Sequence, residues 1–237
     1  MNEEPRSARC YALVPAAGIG ERSGAGMPKQ YVEIAGRPML AHTLAALAAV
    51  PRIAATLVVL SPADERFEQA LPGYGGWVAR VGGASRADSV LGGLAELRRR
   101  GARDDDWVLV HDAARCLLKP AWVDALIDAC EHDAVGGLLA QPIADTLKAG
   151  DADGRVTATV DRRDKWAAQT PQMFRLGLVE RALAAMGAAA TDEASAVEAL
   201  GFAPRLVRAS MANFKVTWPE DFELAARWLH QVGPSSK

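Results

Sequence analysis

The chain has 237 residues, 50% of them hydrophobic, which is ample for one large buried core or two small ones. Its 27 basic and 29 acidic residues leave a formal net charge of −2, which argues against a nucleic-acid-coating surface and against a disordered chain. Cys10, Cys116 and Cys130 form no CxxC pair, and His42, His111, His132 and His230 show no HExxH spacing, so neither a disulfide-stapled module nor a zincin-type metal site has support.

The start, Met1–Arg6, is polar and acidic, so no signal or transit peptide is expected. The longest strictly apolar run, Leu44–Val50, falls far short of the ~20 residues that span a bilayer. A cytoplasmic protein with neither membrane nor nucleic-acid partners is the expectation. Short β-rich runs alternate with amphipathic, alanine-rich stretches, the pattern of a mainly parallel sheet covered by helices. Tyr11–Val14 reads as the first strand, with Thr56–Leu60, Trp77–Val81 and Trp107–Val110 as further buried strands. Pro38–Ala49, Ser85–Arg100 and Pro120–His132 read as helices, Ser85 as an N-cap, and Leu138–Gln141 as another strand. Residues 143–165 break the pattern: a Gly150–Gly154 turn and alternating Val156, Ala158 and Val160 predict an inserted β-hairpin. Such a ribbon is marginal alone, so this arm needs a surface, either on a partner subunit or on its own domain. Helices resume over Gly177–Met186 and Asp192–Leu200, and short strands are predicted at Leu206–Val207 and Lys215–Val216. A last helix opens at Thr217-Trp218-Pro219-Glu220, a capping-box spacing, and Pro234–Lys237 reads as a frayed tail. The whole chain, 1–237, reads as one domain carrying an arm.

The first strand runs into Pro15-Ala16-Ala17-Gly18-Ile19-Gly20-Glu21-Arg22-Ser23-Gly24. Small residues at the carboxyl end of a first strand let backbone N–H groups approach phosphate oxygens, although a tight turn without ligand has the same look. A dinucleotide fingerprint fits poorly, because Ser23 stands where the third glycine belongs and Gly36–Ala49 contains no acid. The loop carries cations instead, Arg22 within it and Lys29 just beyond. Each alone would read as a solvated surface charge. Paired beside a glycine loop, they suit a triphosphate whose charge grows at the reacting phosphorus.

Pro15-Ala16-Ala17-Gly18-x-Gly20-x-Arg22 with Pro28-Lys29-Gln30 resembles the 2-C-methyl-D-erythritol 4-phosphate cytidylyltransferase family of the non-mevalonate isoprenoid route. Later blocks agree in order: Gly82-Gly83-Ala84-Ser85-Arg86-Ala87-Asp88-Ser89-Val90, Val110-His111-Asp112-Ala113-Ala114-Arg115, Asp145-Thr146, Val160-Asp161-Arg162, Gln169-Thr170-Pro171-Gln172, Thr191–Ser195 and Lys215-Val216-Thr217. The sequence departs from the family pattern at Cys116, where a proline is usual, at Ala84, often polar, and at Trp218. The resemblance implies a Rossmann-like α/β nucleotidyltransferase fold whose arm makes a homodimer. It implies transfer of a cytidylyl group from CTP to 2-C-methyl-D-erythritol 4-phosphate with release of pyrophosphate. Arg22 and Lys29 would stabilise the transition state, and Mg²⁺ would be held mainly by the phosphates, with Asp112 as a candidate contact. Pro15, Ala16, Ala17 and Gly18 would cradle the triphosphate, while Gly83, Ser89, Asp112 and Ala113 would meet the nucleoside. Arg115, Thr146, Arg162, Thr191 and Lys215 would bind the second substrate, with Arg162 and Lys215 clamping its phosphate.

Simpler readings stand beside these. Without the resemblance, spacing alone makes Arg162 and Lys215 surface charges. His111 reads as a hydrogen-bonded core group rather than a base, since the attacking phosphate is already ionised. Asp112 is either a carboxylate at the start of a helix or a nucleotide contact. Ser89 is a helix residue or a hydroxyl for the base, and Glu193 belongs to a good helix start that accounts for it by itself. Arg98-Arg99-Arg100 reads as a solvated helix end favoured by the dipole. Three rival functions remain at this point: a ribitol 5-phosphate cytidylyltransferase, a nicotinamide dehydrogenase and a non-catalytic CTP sensor.

Overall fold

The computed structural model describes residues 7–18 and 27–232. In chain order the elements are β1 (Cys10–Pro15), β2 (Glu33–Ile34), β3 (Arg37–Pro38), α1 (Met39–Ala48), β4 (Ile53–Val59), α2 (Phe67–Ala70), β5 (Trp77–Ala79), α3 (Arg86–Arg99) and β6 (Trp107–Val110). There follow α4 (Pro120–Cys130), β7 (Gly136–Pro142), β8 (Leu147–Gly150), β9 (Val156–Val160), β10 (Trp166–Arg175), α5 (Leu176–Met186), α6 (Glu193–Ala199), β11 (Arg205–Arg208) and α7 (Pro219–Val232). Seven strands form one sheet in the order β11-β7-β10-β6-β1-β4-β5. All its neighbours pair parallel except β10, which runs antiparallel to both β6 and β7. The expected α/β class and mainly parallel sheet are therefore present.

Alternation along each strand sends successive side chains to opposite faces. Tyr11 and Leu13 of β1 pack with α3, α5 and α6 through Leu94, Leu97, Val179 and Val197. Ala12 and Val14 face the other way, against α1 and α4 through Leu44, Leu47, Leu126 and Ile127. A third apolar cluster seats α7 through Ala225 on Ile34, Met39, Cys116 and Val216. Cys116 is only 2% exposed there, and burial pushes its thiol up to about 12, so this departure from the family pattern is an inert core residue.

Several expectations need correction. The longest strand, β10, had no counterpart in the sequence reading. Lys215–Val216 is not a strand; the segment is extended, and the Val216 N–H donates to the Ala114 carbonyl at 2.9 Å. The capping box expected between Thr217 and Glu220 does not form. Instead the Asp221 carboxylate accepts the N–H groups of Thr217 (2.8 Å) and Trp218 (2.9 Å), while the Thr217 hydroxyl turns back to the Lys215 carbonyl. The arginines ending α3 are not simply solvated. Arg98 pairs with Asp104 and Glu180, Arg100 with Glu96, and the Arg100 guanidinium lies 4.9 Å from the Trp77 ring centre.

The hairpin forms as predicted, β8 pairing antiparallel with β9 outside the main sheet. Its turn is closed by Asp151, whose Oδ1 accepts the N–H groups of Asp153 and Arg155. All five residues of β9 are exposed, Val156 at 65%.

Candidate active site

A cleft of about 510 Å³ opens at the carboxyl ends of β1 and β6, where open α/β sheets place their ligands. One wall is the turn after β1. Ala16 donates its N–H to the Val59 carbonyl at 2.8 Å, and the buried Gln30 side chain donates to the Ala16 carbonyl at 2.8 Å. These bonds hold Ala16 at both its N–H and its carbonyl, and the small residues Pro15–Gly18 line the opening. The facing wall is the start of α3, where Ser85 and Asp88 form a reciprocal capping box. The Ser89 hydroxyl accepts the Gly83 N–H (3.1 Å) and donates to the Ser85 carbonyl (3.0 Å). Its one proton is thus committed, and Ser89 shapes the 83–85 loop as well as lining the cleft.

The charged end of the cleft is organised by Asp112. Its Oδ1 lies 2.9 Å from Arg86 Nε, its Oδ2 lies 2.8 Å from Lys215 Nζ, and Arg115 Nε stands 3.9 Å from Oδ2. Burial alone would raise this carboxyl, but the Arg86 and Lys215 charges outweigh it and hold Asp112 well below the usual carboxylate range. Arg86 also makes a two-pronged contact with Glu193, at 2.6 and 3.1 Å. Glu193 is fully buried; burial pushes its carboxyl up, and the guanidinium opposes that shift. Lys29 enters from the 3-10 turn Lys29–Tyr31 and donates to the Val216 carbonyl at 3.1 Å, so both lysines meet at the 215–216 segment.

His111 stands below this cluster and is fully buried. The Asp112 N–H donates to the Thr170 hydroxyl, whose own proton points to His111 Nδ1 at 3.0 Å. Nε2 then faces the Arg115 carbonyl at 3.3 Å, which assigns the neutral imidazole with its proton on Nε2. Burial lowers the ring's pKa to about 4. His111 is the core group the sequence suggested.

The cleft brings together Pro15, Ala16, Ala17, Gly18, Lys29, Gly83, Ser89, Asp112, Ala113 and Lys215. Arg22 lies outside the described residues. Four other candidates do not line the cleft. Arg115 turns its guanidinium to the backbone carbonyls of Asn213 and Ala168, a brace rather than an open cation. Thr191 is exposed and hydrogen-bonded to Ser195 at the start of α6. Thr146 and Arg162 sit exposed on the arm, where Arg162 bonds the Ala144 carbonyl. From sequence alone Arg86 has no assigned role and Glu193 is only part of a helix start. A usable signal existed: Arg86 occupies the first turn of α3, where a cation opposes the helix dipole and so calls for a dedicated anionic partner.

Among the described residues, no group of three or more His, Cys, Asp or Glu side chains is arranged to hold a metal ion, and no helix is long and apolar enough to cross a membrane.

A model of the family described as 2-C-methyl-D-erythritol 4-phosphate cytidylyltransferase matches residues 10–231. A protein of that name from Paraburkholderia phytofirmans is 53% identical over 237 residues, covering 97% of this chain and 100% of that one. A bifunctional IspD/IspF enzyme from Albidiferax ferrireducens is 59% identical over 218 residues, 92% of this chain but 52% of its own, so the chain spans about half that relative's length. Among solved structures, a 4-diphosphocytidyl-2C-methyl-D-erythritol synthase superposes with a TM-score of 0.84 at 41% identity, covering 94% of this chain and 99% of that one. The corresponding cytidylyltransferase of Francisella tularensis gives 0.80 at 32% identity, covering 93% and 99%.

Proposed function

The chain belongs to the 2-C-methyl-D-erythritol 4-phosphate cytidylyltransferase family, and we propose that the cleft between the β1 turn and the start of α3 carries out that family's reaction with the residues described above. The reaction is nucleotidyl transfer in isoprenoid biosynthesis, joining CTP and 2-C-methyl-D-erythritol 4-phosphate into 4-diphosphocytidyl-2-C-methyl-D-erythritol. A phosphate oxygen of the second substrate attacks the α-phosphorus of CTP, forming one P–O bond. The bond to the β-phosphate breaks, and pyrophosphate leaves with its electron pair. The nucleophile is already an anion, so no base is required, in keeping with a His111 that is neutral and enclosed.

The observation that carries this reading is a glycine-containing turn and two lysines, Lys29 and Lys215, lining a single cleft at the end of parallel strands. The turn Ala16–Gly18 cradles the triphosphate. Lys29, with Arg22, stabilises charge on the reacting phosphorus and on the leaving group, and Lys215 holds the attacking phosphate. Ala84 has no polar side chain, so the cytosine amino group is read by backbone carbonyls near Gly83 and Ala84. Uracil presents an acceptor there and is refused.

Mg²⁺ is part of this proposal as a companion of the triphosphate. The described wall of the cleft contains one carboxylate, Asp112, and both its oxygens are engaged by Arg86 and Lys215. Such a wall does not amount to a resident Mg²⁺ site, which leaves phosphate oxygens and water as the ligands. We also assign the arm to a twofold homodimer, in which Thr146 and Arg162 of each subunit complete the cleft of the other. Two observations support this: the exposed β9, and the absence of both side chains from the cleft wall of their own chain.

The test is pyrophosphate release across CTP, UTP, ATP and GTP, each with methylerythritol phosphate or ribitol 5-phosphate as acceptor. Turnover confined to CTP with methylerythritol phosphate is expected. Equal turnover of CTP and UTP, or preference for ribitol phosphate, would overturn the assignment.

A further inference from the structure

We propose that Glu193 and Arg86 are positioning residues for the transfer reaction, holding Lys215 over the cleft through Asp112. The four side chains form a single line of alternating charge. Fully buried Glu193 takes two N–H bonds from Arg86, and Arg86 Nε donates onward to Asp112 Oδ1 at 2.9 Å. Asp112 Oδ2 then meets Lys215 Nζ at 2.8 Å, and Lys215 lines the opening. A line of four that begins on a buried anion ends on a cation. That last charge faces the space where anionic substrates must meet.

Each link has a physical reason. Lys215 leaves an extended segment that belongs to no strand, so the backbone alone does not orient its long, flexible side chain. A carboxylate at hydrogen-bond distance does. Asp112 by itself would be a poor anchor, because a buried carboxylate beside a triphosphate site repels the substrate and is itself costly to bury. Arg86, which lines the cleft beside Asp112, removes both objections by neutralising the carboxylate through the oxygen that Lys215 does not use. Arg86 then needs a second anion, since one carboxylate cannot hold two cations without leaving excess charge in the core. Glu193 supplies it from α6, anchored by the Asp192–Ser195 capping box. Further charged groups near the line are Asp192, beside Glu193 at the start of α6, and Arg115, whose Nε stands 3.9 Å from Asp112 Oδ2 while its end nitrogens are committed to backbone carbonyls. Arginine is required at position 86 because only a forked, planar donor set spans two carboxylates at once.

The inference rests on the reading of Lys215 as the clamp for the attacking phosphate, and a double-mutant cycle separates the two. Glu193→Gln keeps the shape of the side chain but removes the first charge. It is expected to raise KM for methylerythritol phosphate about tenfold and lower kcat about tenfold, with KM for CTP within about twofold. In a Lys215→Ala background the same substitution is expected to add less than about twofold, since a line that acts through Lys215 has nothing left to position. Arg86→Lys, which keeps a charge but not the fork, is expected to reproduce the Glu193→Gln profile while melting near the parent. It serves as the test if Glu193→Gln folds poorly. Full additivity of Glu193→Gln and Lys215→Ala, or a rise confined to KM for CTP, would overturn the positioning role while leaving Lys215 as a clamp. If Lys215→Ala alone leaves the kinetics of methylerythritol phosphate unchanged, the clamp reading fails, and the line fails with it.

Discussion

Gly82 is where the two walls of the cleft touch, and a methyl group there should separate them. Its N–H donates to the Leu60 carbonyl at 2.8 Å. A Cβ at this position would stand 2.3 Å from Ala17 Cβ and 2.7 Å from the Leu60 carbonyl oxygen. Carbon atoms in ordinary contact sit ~3.5–4.0 Å apart, so Gly82→Ala demands that the Ala16–Gly18 turn retreat by more than ~1 Å. The Leu60 carbonyl has little room to yield, because its residue is fully buried at the end of β4. Overpacking of this kind destabilises by about 1–3 kcal/mol, and a chain of this length loses about 2–4 °C in Tm per kcal/mol. A drop of roughly 2–12 °C is therefore expected in a thermal melt followed by circular dichroism. Ala17 lines the nucleotide side, so KM for CTP should rise about tenfold, equivalent to about 1.4 kcal/mol of binding, while KM for the acceptor stays within about twofold. Adding Ala17→Gly removes the nearer collision and leaves the one with Leu60. It should recover most of the CTP affinity and only part of the Tm. A Gly82→Ala protein that melts within about 1 °C of the parent and binds CTP normally would refute the close approach of the two walls.

Three further outcomes follow from the site. Lys29→Ala should lower kcat by about 10²–10³, or about 3–4 kcal/mol, with the melt unchanged; a raised KM for CTP at full kcat would reduce Lys29 to a ground-state contact. His111 has a folded pKa near 4 against an ordinary 6.5, so the unfolded chain takes up its proton first as pH falls. Its contribution is complete above pH 6.5 and lost between 6.5 and 4, by up to about 3 kcal/mol. The stability difference between the parent and His111→Asn, from urea unfolding at several pH values, should shrink over that window, and a flat difference would refute it. Mixing Lys29→Ala with Arg162→Ala should restore about a quarter of full activity if subunits exchange at random and share sites across the dimer. Background activity after proven exchange would confine Arg162 to its own subunit.

The sequence revealed most where one physical signal dominated. Buried central strands such as Trp107–Val110 declared themselves by unbroken β-rich runs, and the Ser85 cap fixed the start of α3 within a residue. The β1-turn side of the cleft was legible for the same reason, being built from short local segments at strand ends. β10 was hidden because it lacks alternation and carries Pro171, a residue that normally argues against a central strand. The sheet accommodates it with a register shift against β7 between Ala168 and Gln172. The Glu193–Arg86–Asp112 line was hidden because its members are separated by 107 and 26 residues, beyond any periodicity.

The block Gln169–Gln172 shows how a motif can match a family of enzymes and yet lie outside the cleft wall. Gln172 accepts the Ala194 N–H at 2.7 Å and donates to Asp192 Oδ2 at 2.9 Å, so β10 holds the start of α6 and with it Glu193. Gln169 and the Thr170 carbonyl take the Asn213 amide at 3.0 and 2.8 Å, which fixes the chain two residues before Lys215. The Thr170 hydroxyl accepts the Asp112 N–H and orients His111. Three neighbouring polar side chains thus brace Glu193, Asp112 and Lys215 separately, without lining the cleft themselves. Buried amides and hydroxyls suit this task, since each carries several directional bonds and an unpaired one would cost about 1–3 kcal/mol. An antiparallel strand inserted between β6 and β7 is what lets one short segment reach all three, because it passes the end of β6 while facing both α6 and the 213–216 segment.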